Sequence, residues 1–174
     1  MKRLFPLFLF APLLAFANPG DDAFLAAREA FRNGERARLA RSVDALQGNE
    51  LRPWAEYWQL RLKLEDNQTD GIADFLARES GSYLAEKLRG DWLRWLGKRG
   101  AWEAFQQEYP RLVQPDNDVA CYALQARLAV QHDATALDEA RPLWFSQLDM
   151  PEACLPLMER LITDQRLDAD DVWQ

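Results

Sequence analysis

A two-residue turn signal returns every 33 residues along this chain: Asn33-Gly34, Asp66-Asn67, Arg99-Gly100, His132-Asp133 and, in weaker form, Gln165-Arg166. A fixed period in this range marks stacked units that cannot each bury an apolar face alone. Every turn follows a long stretch with helical spacing of apolar residues, such as Trp54, Tyr57, Trp58, Leu60, Leu62 and Leu64 before Asn67, and precedes a shorter one. The pattern predicts an all-α chain built as a superhelix, or solenoid, of helical hairpins with repeats of about 33 residues. Strand signals are missing, because Val, Ile and Thr are scarce and nothing alternates with period two. Helices are expected over 21–32, 36–46, 50–65, 70–78, 82–98, 102–109, 117–131, 134–145 and 151–163. Pro110 should stop one helix, Pro151 should open another, and 115–118 should form a turn leading to an N-cap.

The first 17 residues read as a secretory leader. Lys2 and Arg3 form a basic start, Leu4 to Leu14 an apolar run, and Ala15-Phe16-Ala17 a small-x-small cleavage site before Asn18. A membrane anchor would need about 20 uninterrupted apolar residues, whereas Pro6 and Pro12 break this run and acids begin at Asp21. The expected organisation is a signal peptide at 1–17 and one repeat domain at 18–174, placed in the periplasm without a membrane anchor.

Removing the leader removes two of the 21 basic residues, so 19 remain against 28 acids, a formal charge of −9. Such a chain repels the nucleic-acid backbone, and nucleic acid is excluded as a partner despite seven tryptophans. No cofactor or metal site is expected either. His132 is the single histidine, which rules out a multi-histidine metal site. No serine has a glycine two positions away, so there is no nucleophile elbow.

Cys121 and Cys154 lie one repeat length apart. Equal phase in adjacent repeats puts side chains on neighbouring parallel helices, and a disulfide is the expected reading over two buried thiols. Trp54 and Trp58, and likewise Trp92 and Trp95, share helix faces, as expected for packing between repeats rather than a sugar platform. Trp58, Leu60, Leu93, Leu96, Ala126 and Ala129 are expected to face the stack. Arg94, Lys98 and Arg99 cluster where a helix C-terminus favours cations, although they would also suit an anionic glycan.

From Leu51 onward the chain resembles a known family. The runs 51–54 (Leu-Arg-Pro-Trp), 57–60 (Tyr-Trp-Gln-Leu) and 83–93, then Trp102, Phe105 and Tyr109, resemble the amino-terminal region of the soluble lytic murein transglycosylases. The likeness continues through 121–126, Leu143-Trp144, 151–154 and Val172-Trp173, in the family's order and approximate spacing. What the resemblance implies is a periplasmic superhelix of paired helices. In that family a lysozyme-like carboxyl-terminal domain cleaves glycan strands of peptidoglycan, leaving 1,6-anhydromuramic acid ends. Only the front of the superhelix is matched. Residues 168–174 read as the first turn of a further helix, so the chain is expected to stop before the rest of the superhelix and the catalytic domain.

The family's acid is a glutamate followed by serine, with a Gly-rich stretch ending in Leu-Met-Gln downstream. Glu79-Ser80 reproduces the dipeptide alone, at a short helix end where a solvated surface charge is expected, so no residue is expected to be catalytic. Two readings follow from these residues. One is a non-catalytic scaffold of a murein-cleaving enzyme, with peptidoglycan and envelope proteins as partners. The other is a free-standing helical-repeat adaptor that binds proteins of the cell envelope.

Overall fold

A computed structural model of the 174-residue chain describes residues 19–146 and 150–167. The expected leader at 1–17 and the expected helix start at 168–174 lie outside the described residues. The fold is all-α, with no strand among the described residues. The helices are α1 (Pro19–Arg32), α2 (Arg36–Ala45), α3 (Arg52–Glu65), α4 (Ile72–Arg78), α5 (Tyr83–Lys98), α6 (Trp102–Glu108), α7 (Asn117–Gln131), α8 (Thr135–Ser146) and α9 (Leu155–Thr163). No described helix is long and apolar enough to cross a membrane.

The chain divides into two compact units, 1–55 and 56–174. In the first, α1 packs against α2. Ala27 and Ala30 of α1 and Leu39 and Val43 of α2 are buried, and the two alanines permit a close approach. Arg38 ties the pair together at its rim through Glu29 and Glu35, each at 3.1 Å.

The second unit holds two apolar clusters. Tyr57, Leu60 and Leu64 of α3 meet Phe75 and Leu76 of α4 and Leu84 and Leu88 of α5. The other cluster gathers Leu93 and Leu96 of α5, Phe105 of α6, Val119 and Tyr122 of α7, Leu137 of α8 and Leu157 and Leu161 of α9. Trp92 and Trp95 pack against both clusters, so these indoles serve as core, as their spacing on one face suggests. Trp102 and Phe105 of α6 line up with Tyr109 of the 3-10 turn that follows, with Phe105 edge-on to Trp102 at 6.4 Å and stacked on Tyr109 at 5.5 Å.

The odd-numbered helices end alike. Left-handed residues follow them at Gly34, Asn67, Gly100, His132 and Gln165, at intervals of 33, 33, 32 and 33. In four of the five turns the next residue's N–H reaches back five positions: Glu35 to Ala30, Gln68 to Lys63, Ala101 to Leu96 and Arg166 to Leu161, at 2.8 to 3.1 Å. This bond satisfies a carbonyl that the helix end would otherwise leave unpaired. After α7 it is replaced by a looser one, Asp133 N–H to the Arg127 carbonyl at 3.3 Å. The helix starts are less regular. Ser82 caps α5 by accepting from Ala85 N–H at 3.1 Å, and Asp116 caps α7 by accepting from Val119 N–H at 3.0 Å.

Long-range links join the odd-numbered helices in series. Tyr57 on α3 donates to Asp91 on α5 at 2.9 Å, and the Trp95 indole N–H donates to the Leu64 carbonyl at 2.9 Å. Helix α5 meets α7 where Gly97 lies against the Tyr122 ring; a Cβ on Gly97 would fall 2.3 Å from that ring. Helix α7 reaches the segment before α9 through the Cys121–Cys154 disulfide, whose Cα atoms are 5.1 Å apart, and through Gln125, which donates to the Ala153 carbonyl at 2.6 Å.

Two local expectations need correction. Pro151 does not open α9; it precedes a 3-10 turn at Glu152–Cys154, and α9 begins at Leu155. Pro156 explains this, because it has no N–H to give the carbonyl of Glu152 and therefore belongs in the first α turn. Helix α6 stops before Pro110: it ends at Glu108, and Pro110 sits inside a 3-10 turn at Tyr109–Arg111. Leu60, Leu93, Leu96 and Ala126 are buried and Trp58 is partly so, but Ala129 is exposed along with Val130 and Gln131 at the end of α7.

Two measurements check this packing. Gly97→Ala should destabilise the chain by roughly 1–3 kcal/mol in urea unfolding, because its methyl drives into the Tyr122 ring. Gly90→Ala, on the same helix with only the flexible end of Arg94 at 3.4 Å, should instead be neutral or gain roughly 0.5–1 kcal/mol. Equal effects at the two sites would refute the close approach. Mass spectrometry of the unreduced chain should find Cys121 joined to Cys154, and reduction should cost roughly 3–4 kcal/mol for this 33-residue loop.

Candidate functional site

The chain's acidity makes a local reversal of charge the place to look for a ligand. One groove of about 320 Å³ has that character, lined by Arg61, Leu64 and Glu65 from α3 and by Asp91, Arg94, Trp95, Lys98 and Arg99 from α5 and its C-cap. Four cations face two carboxylates there. Of the cations, the sequence singles out Arg94, Lys98 and Arg99; Arg61 joins them because α3 and α5 pack through Tyr57, Leu60, Leu64 and Leu88.

The groove's charges are unequally used. Asp91 is the hub: it accepts from the Tyr57 hydroxyl at 2.9 Å and from Arg94 at 3.0 Å, and Arg61 lies 3.5 Å away. The second arm of Arg94 reaches Asp116 at 2.9 Å, so this arginine also fastens the N-cap of α7. Arg99 is held by neutral groups: its guanidinium lies 3.9 Å above the Trp95 ring and donates to the Trp95 carbonyl and the Asn67 side chain. Lys98 is exposed, and among the described residues no carboxylate pairs with it or with Arg99. The surplus positive charge of the groove therefore resides on Lys98 and Arg99. A helix C-terminus attracts such cations on its own account, but that does not create a groove or bring Arg61 and Arg94 into it.

A wider regularity runs through this position. Arg28, Arg61, Arg94, Arg127 and Arg160 are each 33 residues apart, one on every odd-numbered helix and one turn before its end. The side chains of Arg61, Arg94, Arg127 and Arg160 are between 28% and 63% exposed, so each keeps part of its guanidinium in water. They are also paired, Arg127 with Asp133 at 2.6 Å and Glu139 at 2.8 Å, and Arg160 with Asp164 at 2.9 Å. The signal that finds this series is the turn period applied to charged residues instead of turn residues.

Two further depressions, of about 420 and 440 Å³, share Ser80, Arg89 and Arg111. Here the cations are already answered. Glu108, 6% exposed, takes Arg89 at 2.7 Å and Arg111 at 2.8 Å, which is what a carboxylate needs to remain inside.

Other residues considered for chemistry stand apart from the groove. Glu79 forms the C-cap of α4 and takes Arg78 Nε at 3.1 Å; its side chain is 21% exposed, less solvated than a free surface charge, because the neighbouring guanidinium covers it. His132 is exposed at the left-handed turn after α7. Among the described residues no group of three or more His, Cys, Asp or Glu side chains is arranged to hold a metal ion. Cys121 and Cys154 lie in the core between α7 and α9. Comparison with family models, with curated proteins and with solved structures finds no match to the chain.

Burial, and after it the Asp91 charge, pushes the Tyr57 phenol well above its ordinary value. The neutral phenol is favoured in the folded chain, so its contribution is complete below the usual tyrosine value of about 10 and is lost as pH rises beyond it. Urea midpoints should accordingly fall at alkaline pH, and Tyr57→Phe should flatten that fall. An alkaline slope identical in the two proteins would remove Tyr57 as its source.

Proposed function

We propose that this chain is a non-catalytic scaffold: a superhelix of helical hairpins of about 33 residues that works in the periplasm as the front part of a soluble lytic murein transglycosylase. In this reading a leader at 1–17 directs export and is removed, and residues 18–174 form the repeat domain. The domain holds or orients glycan strands for the enzyme's catalytic domain. The observation carrying the repeat reading is the series of left-handed turn residues, Gly34, Asn67, Gly100, His132 and Gln165, with the same backward hydrogen bond at four of them. The assignment to murein is supported by the ordered resemblance from Leu51 to Trp173. The non-catalytic reading is supported by the use of Glu79: a transglycosylase needs an acid held protonated beside the glycosidic oxygen, whereas Glu79 serves as a helix end paired to Arg78.

Sedimentation with purified murein sacculi tests the reading. The chain should pellet with the sacculi, and mass spectrometry of the supernatant should show no 1,6-anhydromuropeptides. Protein that stays wholly in solution would overturn the murein assignment and leave the envelope adaptor. Anhydromuropeptides that disappear on Glu79→Gln would overturn the non-catalytic one.

A further inference from the structure

We propose that the groove between α3 and α5 binds the carboxylates of murein stem peptides, through Lys98 and Arg99 with Arg61 and Arg94 behind them, and does not bind the sugar rings. The inference rests on the murein reading and names the part of the polymer that this face would recognise.

The chemistry of the groove selects an anion. Its four cations stand against two carboxylates, within a chain whose overall formal charge is −7. Asp91 is already shared among Tyr57, Arg61 and Arg94, which leaves Lys98 and Arg99 as cations with no carboxylate partner among the described residues. Both lie at the end of α5, Lys98 in its last turn and Arg99 as its C-cap, where long side chains reach water without losing their stem contacts.

The indole in the groove argues against a sugar. Stacking a pyranose ring requires a free aromatic face, but the Arg99 guanidinium lies over the Trp95 ring at 3.9 Å, and the indole N–H is committed to the Leu64 carbonyl. The guanidinium resting on the indole is instead pre-organised. Its side chain is held by the ring, the Trp95 carbonyl and Asn67 before a ligand arrives, which lowers the ordering cost of binding a carboxylate.

The groove sits at one step of the arginine series. Arg61, Arg94, Arg127 and Arg160 occupy the same phase on α3, α5, α7 and α9, and packed helices lie about 8–10 Å apart. Arg127 and Arg160 have carboxylate partners of their own, Asp133 with Glu139 and Asp164. The groove is the place where those cations exceed their partners.

The test compares the full chain with Lys98→Glu, Lys98→Gln and Arg99→Gln, and with Lys87→Glu as a control on the outer part of α5. Titration calorimetry uses two probes: the free stem tripeptide L-Ala-γ-D-Glu-meso-diaminopimelate, and chitotetraose, which carries sugar rings and no carboxylate. The tripeptide should bind the wild type and weaken as salt rises. Lys98→Glu should weaken it roughly tenfold, Lys98→Gln and Arg99→Gln roughly threefold, and Lys87→Glu not at all. Chitotetraose should neither bind the groove nor displace the tripeptide. The proposal is overturned by tripeptide binding that is absent, or equal in wild type and Lys98→Glu proteins of matching circular dichroism, or by chitotetraose binding that the groove variants abolish. Retained sacculus pelleting with unaltered variants would refute the groove and keep the scaffold reading; tripeptide binding without sacculus pelleting would refute the scaffold reading and keep the groove.

Discussion

The backward hydrogen bond that closes the odd-numbered helices is the interaction on which the arrangement depends. An α-helix can end in many ways, but a left-handed residue followed by an N–H donating five positions back fixes where the chain leaves the helix and in which direction. At Gly34, Asn67 and Gly100 the residue types suit that conformation; at His132 and Gln165 a larger side chain adopts it. The turn after α7 lacks the tight bond, and there the aspartate takes over. Asp133 accepts from the Thr135 hydroxyl at 2.6 Å and from Arg127 at 2.6 Å, and these hydrogen bonds hold its carboxyl down to about 2.

Once the ends are set, the odd-numbered helices of the second unit are bound in series by different devices at each step. Between α3 and α5 the links are polar, through Tyr57 and Trp95; between α5 and α7 a glycine lies against a ring and Arg94 pairs with Asp116; between α7 and the start of α9 a disulfide is joined by the Gln125 hydrogen bond. The polar step is the one that leaves a groove. A tyrosine and an arginine converging on Asp91 need room and partial hydration, whereas Gly97 and Tyr122 bring the next pair of helices into close contact. A cationic recess at α3–α5 and a close glycine–ring contact at α5–α7 thus arise from the same succession of helices with different contact residues.

Charge reaches the groove in two layers. Arg61 and Arg94 pair with Asp91 and Asp116 while part of each side chain stays in water. Lys98 and Arg99 add charge that no carboxylate in the groove removes. By contrast, Arg89 and Arg111 are consumed by the buried Glu108, which is why a depression of similar size beside them offers no comparable attraction to an anion.

The all-α class and the ends of the odd-numbered helices were legible from residue order alone, because helical apolar spacing and Asn-Gly, Asp-Asn or Arg-Gly turns act locally and need no partner. The N-cap at Asp116 was legible for the same reason. The start of α9 was only half legible: Pro151 and Pro156 both suit a first turn, and the register of the bonded Cys154 stands between them. Arg94, Lys98 and Arg99 could be read as a cluster on one helix, but their joining with Arg61 and Asp91, the covering of Trp95 by Arg99, and the exposure of Ala129 were beyond residue order. Those depend on which faces of α3, α5 and α7 meet, and interhelical contact is decided by side-chain fit between elements far apart in the chain.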